Sequence, residues 1–429
     1  MFLHNDTHVD SYYAASCQGR LIVRPSLEVD LAVDVCIVGG GFTGLYTALN
    51  LADAGHTVAI VEGSRMGWGG SGRNGGQIIL GFSCDMAPFE AALGLEGARE
   101  VWRLTREAAA EIRRRIATHQ IDCELADGFL WTSVLPRRVA TLQAWQEEAA
   151  TKWGYDRQRF VAKDELPQHI ASGRYQAGLL DPEGGHFHPL KYLLGLAQAA
   201  EAAGVQLYEG TRAIRYREHR DSVIVETERG RITCNKLVLA CNAYLDQLDH
   251  KLSARILPVG TYMIATEPLG EARARDLLPS NHAVCDNQFV LDYFRRSADH
   301  RLLFGGKCTY TGHTPANLTG SMRADMLKVF PQLADVGISY TWGGHIDITM
   351  PRTPDFGNVG NVYWAQGFSG HGVVPTCVAG RVLAEAICGQ RELFELFTRF
   401  KNPPFPGGER LGALFQALGM SWYRLRDYI

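Results

Sequence analysis

At 429 residues, with 46% hydrophobic and 21% charged residues, the chain has the make-up of two folded domains, or of one large domain with a second lobe. A net charge of −3 gives no electrostatic reason for nucleic acid or an anionic membrane as partner, and no run of eighteen apolar residues is present to span a membrane. Ten scattered cysteines without a CxxC pair argue against a disulfide or zinc framework, so no metal is expected, and the first residues lack the basic-then-apolar order of a secretory signal. The expected compartment is the cytoplasm.

Residues 1–30 read as an arm leading into a strand, Val35-Cys36-Ile37-Val38. A glycine turn follows, Gly39-x-Gly41-x-x-Gly44, then a helix, then a second strand ending on Glu62, eighteen residues past Gly44. Gly39 suits a tight turn, Gly41 lets backbone approach a pyrophosphate, and Gly44 lets the helix pack closely on the strand. The helix N-terminus, opening at Phe42 and Thr43, offers free N–H groups to phosphate, and Glu62 stands where an acid accepts from ribose hydroxyls. This predicts a dinucleotide, either FAD or NAD. The segment 63–77 then carries seven glycines in fifteen residues, interleaved with Arg65, Trp68, Arg73, Asn74 and Gln77. So many glycines do not make the interior of an element; with such side chains among them they suit a backbone surface laid against a ligand better than a linker.

Residues 87–120 and 137–152 show helical spacing, with strand-like residues between them, GFLWTSV being the clearest. Asp181-Pro182-Glu183-Gly184-Gly185 reads as a turn cluster, and Pro189 opens a helix that stops at Gly204. Strands are expected at Val205–Tyr208 and Thr211–Arg217, then a hairpin turning at Arg229-Gly230 and a buried run ending at Ala240. From Leu257 to Tyr340 strand-like pieces recur around one helix near 321–330. Val362–Ala365 then leads into Gly367-Phe368-Ser369-Gly370-His371-Gly372 and a helix from Val373, a second strand, glycine turn and helix. The tail from Pro403, with two short apolar segments and the ending SWYRLRDYI, is expected to pack on the surface.

Four segments taken together, the opening motif, SGRNGGQ at 71–77, LVLACNAY at 237–244 and GFSGHGV at 367–373, resemble the D-amino-acid-oxidase-like superfamily of FAD-dependent amine oxidoreductases. Within it GSRMGWGGSGRNGGQ, SYYAAS and LDYFRRS are most similar to the gamma-glutamylputrescine oxidases. The resemblance implies an α/β fold, α+β overall. A Rossmann-like FAD-binding domain of the glutathione-reductase type (1–90, 186–256 and 341–429) would join an antiparallel-sheet substrate domain (91–185 and 257–340).

It further implies noncovalent FAD. The residues implied to meet it are Gly39, Gly41, Phe42, Thr43, Gly44, Glu62, Gly63, Ser64, Arg65, Gly70, Ser71, Gly72, Arg73, Gly76, Gln77, Ala213, Ala240, Gly343, Gly367, Gly370, His371 and Gly372. A helix N-terminus behind the second glycine turn would stabilise negative charge on the reduced flavin. The implied reaction takes a hydride from the carbon beside a primary amine to flavin N5. The imine hydrolyses to aldehyde and ammonia, and oxygen reoxidises the flavin with release of hydrogen peroxide. The substrate expected is gamma-glutamylputrescine or a similar polyamine derivative.

Lys307, His371, Tyr293 and Trp364 are the candidates for the catalytic and substrate site, with Trp342 a further candidate for shaping it; Tyr293 and Trp364 could cage an ammonium, and Lys307 could meet a carboxylate or assist oxygen activation. Each is equally open to a structural reading: aromatic core, solvated lysine, and for His371 a turn histidine bonded to a carbonyl. Oxidation or dehydrogenation of glycine, sarcosine or D-amino acids on the same fold is the alternative function. A catalytically silent flavin-binding subunit and an NAD-dependent dehydrogenase are more remote.

Overall fold

The computed structural model describes residues 7–309 and 314–405. Most of the tail expected to pack on the surface lies outside the described residues. The chain builds two sheets, and the first grows from the apolar run Leu31–Val38. Val35 and Ile37 face one way, into a core shared with the helices Phe42–Asp53, Pro189–Ala202 and Val373–Ile387. Cys36 and Val38 face the other way, toward Val223, Val225 and Trp364. A strand buried on both faces is what a parallel sheet requires. The order across the sheet is Asp355–Val359, Val362–Gln366, Arg231–Leu239, Leu31–Val38, Val58–Val61, Gln206–Tyr208, parallel except at the Asp355–Val359 edge. The hairpin Ala213–Glu218 and Val223–Thr227 pairs with the start of Arg231–Leu239.

The second sheet runs Ile338–Thr349, Ile256–Thr266, Leu302–Thr309, Tyr293–Arg296, Ala283–Asp286, Ala126–Ser133, Ala177–His186, Gln77–Ile78, with Arg159–Val161 on a side branch. It is antiparallel but for the pair Ala283–Asp286 and Ala126–Ser133. Strand alternation sorts its residues cleanly. Leu130, Tyr262, Ile264, Val284, Phe294 and Phe304 pack against the helix Leu318–Val329. Their neighbours Trp131, Thr261, Cys285 and Tyr293 face a cavity between the two sheets.

The expected turn at 181–185 is instead the second half of the strand Ala177–His186. Asp127 pairs with Gly185 and Phe129 with Asp181, so Pro182, Glu183 and Gly184 bulge out opposite Gly128, whose φ is +92°. The helix Ala87–Thr118 is broken at Gly94, at φ +72°. Among the described residues no helix is long and apolar enough to cross a membrane.

Candidate active site

The strand Leu31–Val38 delivers the chain to Gly39, at φ +115°, where a Cβ would collide with the carbonyl of Ala240. Ala240 itself donates its N–H to Val38 at 2.9 Å, so the loops after two neighbouring strands are pressed together. Gly44 sits against the Gly39 carbonyl with no room for a side chain. Gly41 is the N-cap of Phe42–Asp53 and supplies no side-chain cap. The Phe42 N–H donates to Ser71 Oγ at 3.0 Å, and the buried Thr43 accepts from Thr47 Oγ1 at 2.7 Å.

Glu62 ends the second strand, its carboxylate accepting from Gly40 N at 2.8 Å and Ser64 N at 2.9 Å. Burial raises its pKa and these N–H groups oppose the rise. Thr211 N donates to the Glu62 carbonyl at 2.8 Å, which brings the buried Ala213 to the same end of the sheet.

Beyond Gly63 the glycine-rich segment is fastened at several points. Arg65 and Met66 N bond the two carboxylate oxygens of the buried Glu209, each at 2.9 Å. Gly70–Gly72 forms one tight turn, with Gly72 packed on the Gly67 carbonyl. Asn74 Nδ2 donates to the carbonyls of Gly70 and Ser71 at 3.1 and 2.8 Å, and its Oδ1 accepts from Gly76 N at 2.7 Å. Arg73 lies over the Trp68 ring at 4.2 Å, donates to Trp68 O at 2.6 Å and reaches Gly343 O at 3.2 Å. Gln77 then pairs with His186 in the second sheet and donates its side-chain amide to Val284 O at 3.0 Å. The segment is a shaped bridge from one sheet to the other.

The second glycine turn is built around a carboxylate. Asp347, 1% exposed on the strand Ile338–Thr349, accepts from Gly367 N at 2.5 Å and Phe368 N at 3.2 Å, and burial pushes its pKa up to about 7. Gly367, Ser369 and Gly370 all take positive φ. The turn places Gly372 as the N-cap of Val373–Ile387, again without a side-chain cap. His371 Nε2 donates to Ile79 O at 3.1 Å, and burial lowers its pKa, so the ring is neutral with Nδ1 unprotonated.

Between these turns and the second sheet lies a cavity of about 590 Å³. Phe42, Gly70, Ser71, Gln77 and Gly370–Gly372 line one wall, and Tyr293 and Lys307 the other. The Tyr293 ring fills the space left by two missing side chains, at Gly75 and Gly305. Lys307 Nζ pairs with Asp325 at 2.5 Å, so it is a tethered cation rather than a solvated one.

Trp342 and Trp364 do not line this cavity. Trp342 packs on Tyr13 at 5.1 Å and donates its indole N–H to Arg73 O at 3.0 Å, bracing the glycine-rich bridge. Trp364 falls on the opposite face of the first sheet, in the cluster with Cys36 and Val38, under Arg255 at 5.6 Å. Strand alternation turned it away from the site.

The family model described as FAD dependent oxidoreductase (DAO) matches residues 34–386. The chain belongs to that family. It is 40% identical over 422 residues to gamma-glutamylputrescine oxidoreductase of Escherichia coli, covering 98% of each chain. It is 39% identical over 425 residues to the "Probable oxidoreductase OrdL" of Haemophilus influenzae, covering 98% of this chain and 97% of that one. Glycine oxidase from Bacillus cereus shares the fold, with a TM-score of 0.69 at 21% identity over 85% of this chain and 97% of that chain.

FAD is therefore the cofactor, and the site fits it. Two helices of 12 and 15 residues start on glycines without side-chain caps, and the starts of both line one cavity. Apart from Phe42 N–H, which Ser71 Oγ takes, the N–H groups of these helix starts are of the kind that suits the anionic parts of a flavin dinucleotide. The residues that sequence reasoning missed are two that hold these turns, Asp347 and Glu209, and the tryptophans of the far cavity wall. An acid in a strand carries no local signal of the turn it will hold.

Proposed function

We propose that this chain oxidises the primary amine of gamma-glutamylputrescine or a closely similar polyamine derivative, yielding aldehyde and ammonia, with oxygen as final acceptor. The observation that carries this is one continuous cavity joining the cradle of the second glycine turn to Tyr293 and Lys307. The likeness to the E. coli enzyme over nearly the whole length of both chains supports the substrate class.

The flavin supplies the hydride acceptor when bound. The chain supplies the rest. The Val373–Ile387 N-terminus and the turn held by Asp347 offer fixed N–H dipoles where negative charge accumulates. Tyr293, pinned between Gly75 and Gly305, presents an aromatic face to the substrate amine. Lys307 is held by Asp325, leaving a compensated charge that does not repel an ammonium. Neutral His371, bonded to Ile79, fixes the turn without adding charge.

The test is anaerobic mixing of the yellow protein with gamma-glutamylputrescine, putrescine, sarcosine, glycine and D-amino acids, following bleaching near 450 nm. The gamma-glutamyl amine should bleach it fastest, and peroxide should appear on readmission of air. Faster bleaching by a free amino acid would overturn the substrate, and reoxidation only by an added dye would overturn the oxygen step. Acid precipitation should release the flavin into solution; flavin left in the pellet would overturn noncovalent binding.

A further inference from the structure

The cavity extends past Tyr293 and Lys307 to a wall built wholly outside the first sheet, by Ala87–Thr118, Ala126–Ser133, Val139–Thr151 and the residues that follow. Four of the chain's eight tryptophans line it. Trp102 stacks on Trp153 at 6.5 Å, and Trp131 meets Trp145 edge-on at 5.4 Å. Glu148, three residues after Trp145 on the same helix, lines the wall, as does Arg138.

Three buried polar atoms lining the cavity have no partner: the indole N–H of Trp102, a residue 9% exposed, Oε1 of Gln158, and Oδ1 of Asn287 beside Arg138. The Gln158 orientation is fixed chemically. Its amide donates to Asp181 Oδ2 at 3.2 Å, and the other Asp181 oxygen accepts from Tyr155 and Glu183 N. A carboxylate only accepts, so the carbonyl of Gln158 must turn away from it and await a donor. The cavity there therefore offers one unmet donor, two unmet acceptors, aromatic faces, and charges of both signs, Glu148 being shared with Lys152 at 3.5 Å and Arg138 donating to Asn287 O at 2.5 Å. Buried polar atoms left this way cost free energy until a ligand meets them.

We propose that this outer wall is a subsite for the unreacting end of the substrate, and that this end is a zwitterionic α-amino-acid head. Its ammonium meets the Gln158 carbonyl, the Glu148 carboxylate and the tryptophan faces; its carboxylate meets the Trp102 N–H and the positive charge of Arg138. This rests on the amine-oxidase reading above and assigns the two ends of the substrate to the two ends of the cavity.

The test uses a head-group analogue with no oxidisable amine arm, so that binding is read without turnover. Gamma-glutamylethylamide and glutaryl monoethylamide, which lacks only the α-ammonium, are titrated into the FAD-loaded protein and followed by tryptophan fluorescence. The first should quench, and the second should need at least about tenfold more, the scale of one lost charge-assisted hydrogen bond. Gln158→Met and Glu148→Gln should each shrink that gap while the 450 nm absorbance confirms retained flavin. Equal binding of the two analogues, or no quenching by either, overturns the subsite even if gamma-glutamylputrescine bleaches the flavin. Discriminating binding with no amine able to bleach it overturns the amine-oxidase reading instead.

Discussion

Glu62 accepts two backbone N–H bonds, from Gly40 and Ser64, and so shapes the glycine turn before any cofactor touches it. Glu62→Ala should lose those bonds and weaken FAD retention by about 1.5–3 kcal/mol, the range for hydrogen bonds to a charged group. The ratio of absorbance at 450 to 280 nm after dialysis reads this directly, and unchanged occupancy would contradict the role. Asp292 poses a different test. An exposed aspartate titrates near pH 4, but burial, and next the Asp286 and Asp325 carboxylates, raise Asp292 to about 7. Between about pH 4 and 7 the folded chain thus keeps a proton the unfolded chain has lost, so this group's cost to folding grows with pH through that window and is constant above it. Asp292→Asn should therefore stabilise the protein little at pH 4 and most above pH 7. Urea unfolding of both forms at pH 4, 5.5 and 8 checks the sign, and a difference independent of pH would refute it.

At the scale of elements, the glycine turns carry the clearest expectation. Gly39→Ala would drive a Cβ into the Ala240 carbonyl at a φ of +115°, so the two loops must part. Purified Gly39→Ala should be colourless or lose its flavin on gel filtration, and a yellow, stable variant would show that the contact can yield. The strand–turn–helix units were legible in the sequence because each sets its own geometry locally: apolar strand, spaced glycines, uncapped helix start. The bulged strand Ala177–His186 was not, because Asp181-Pro182-Glu183-Gly184-Gly185 has turn chemistry and only pairing with Ala126–Ser133 makes it a strand. Asp347 was invisible for a related reason: its partners, Gly367 and Phe368, lie twenty residues on. Trp364 was misplaced by proximity in sequence to the second glycine turn; the face it takes was set by its register beside Leu239 in the first sheet.

At the scale of the whole molecule, the cavity belongs to neither sheet alone. The bridge 63–77 begins at the first sheet and ends as the edge strand Gln77–Ile78 of the second. FAD binding should therefore stabilise both together, by about 2.7 kcal/mol when free FAD is a hundredfold above its Kd. A single melting transition that rises with added FAD is the expected result, whereas two transitions of which only one responds would separate the halves.

The strand order also sets a timetable. Leu31–Val38 and Val58–Val61 leave the ribosome early, yet the partner for the other edge, Arg231–Leu239, follows roughly 190 residues later, about 10–40 s at ordinary synthesis rates. Throughout that interval an apolar strand presents a row of unpaired backbone groups, the arrangement that recruits other chains. Nascent chains stalled before residue 231 should thus be held by chaperones and aggregate on release, and those extended past Gln366 should not. The fold that builds its cavity between two sheets is, during synthesis, one that waits with its centre open.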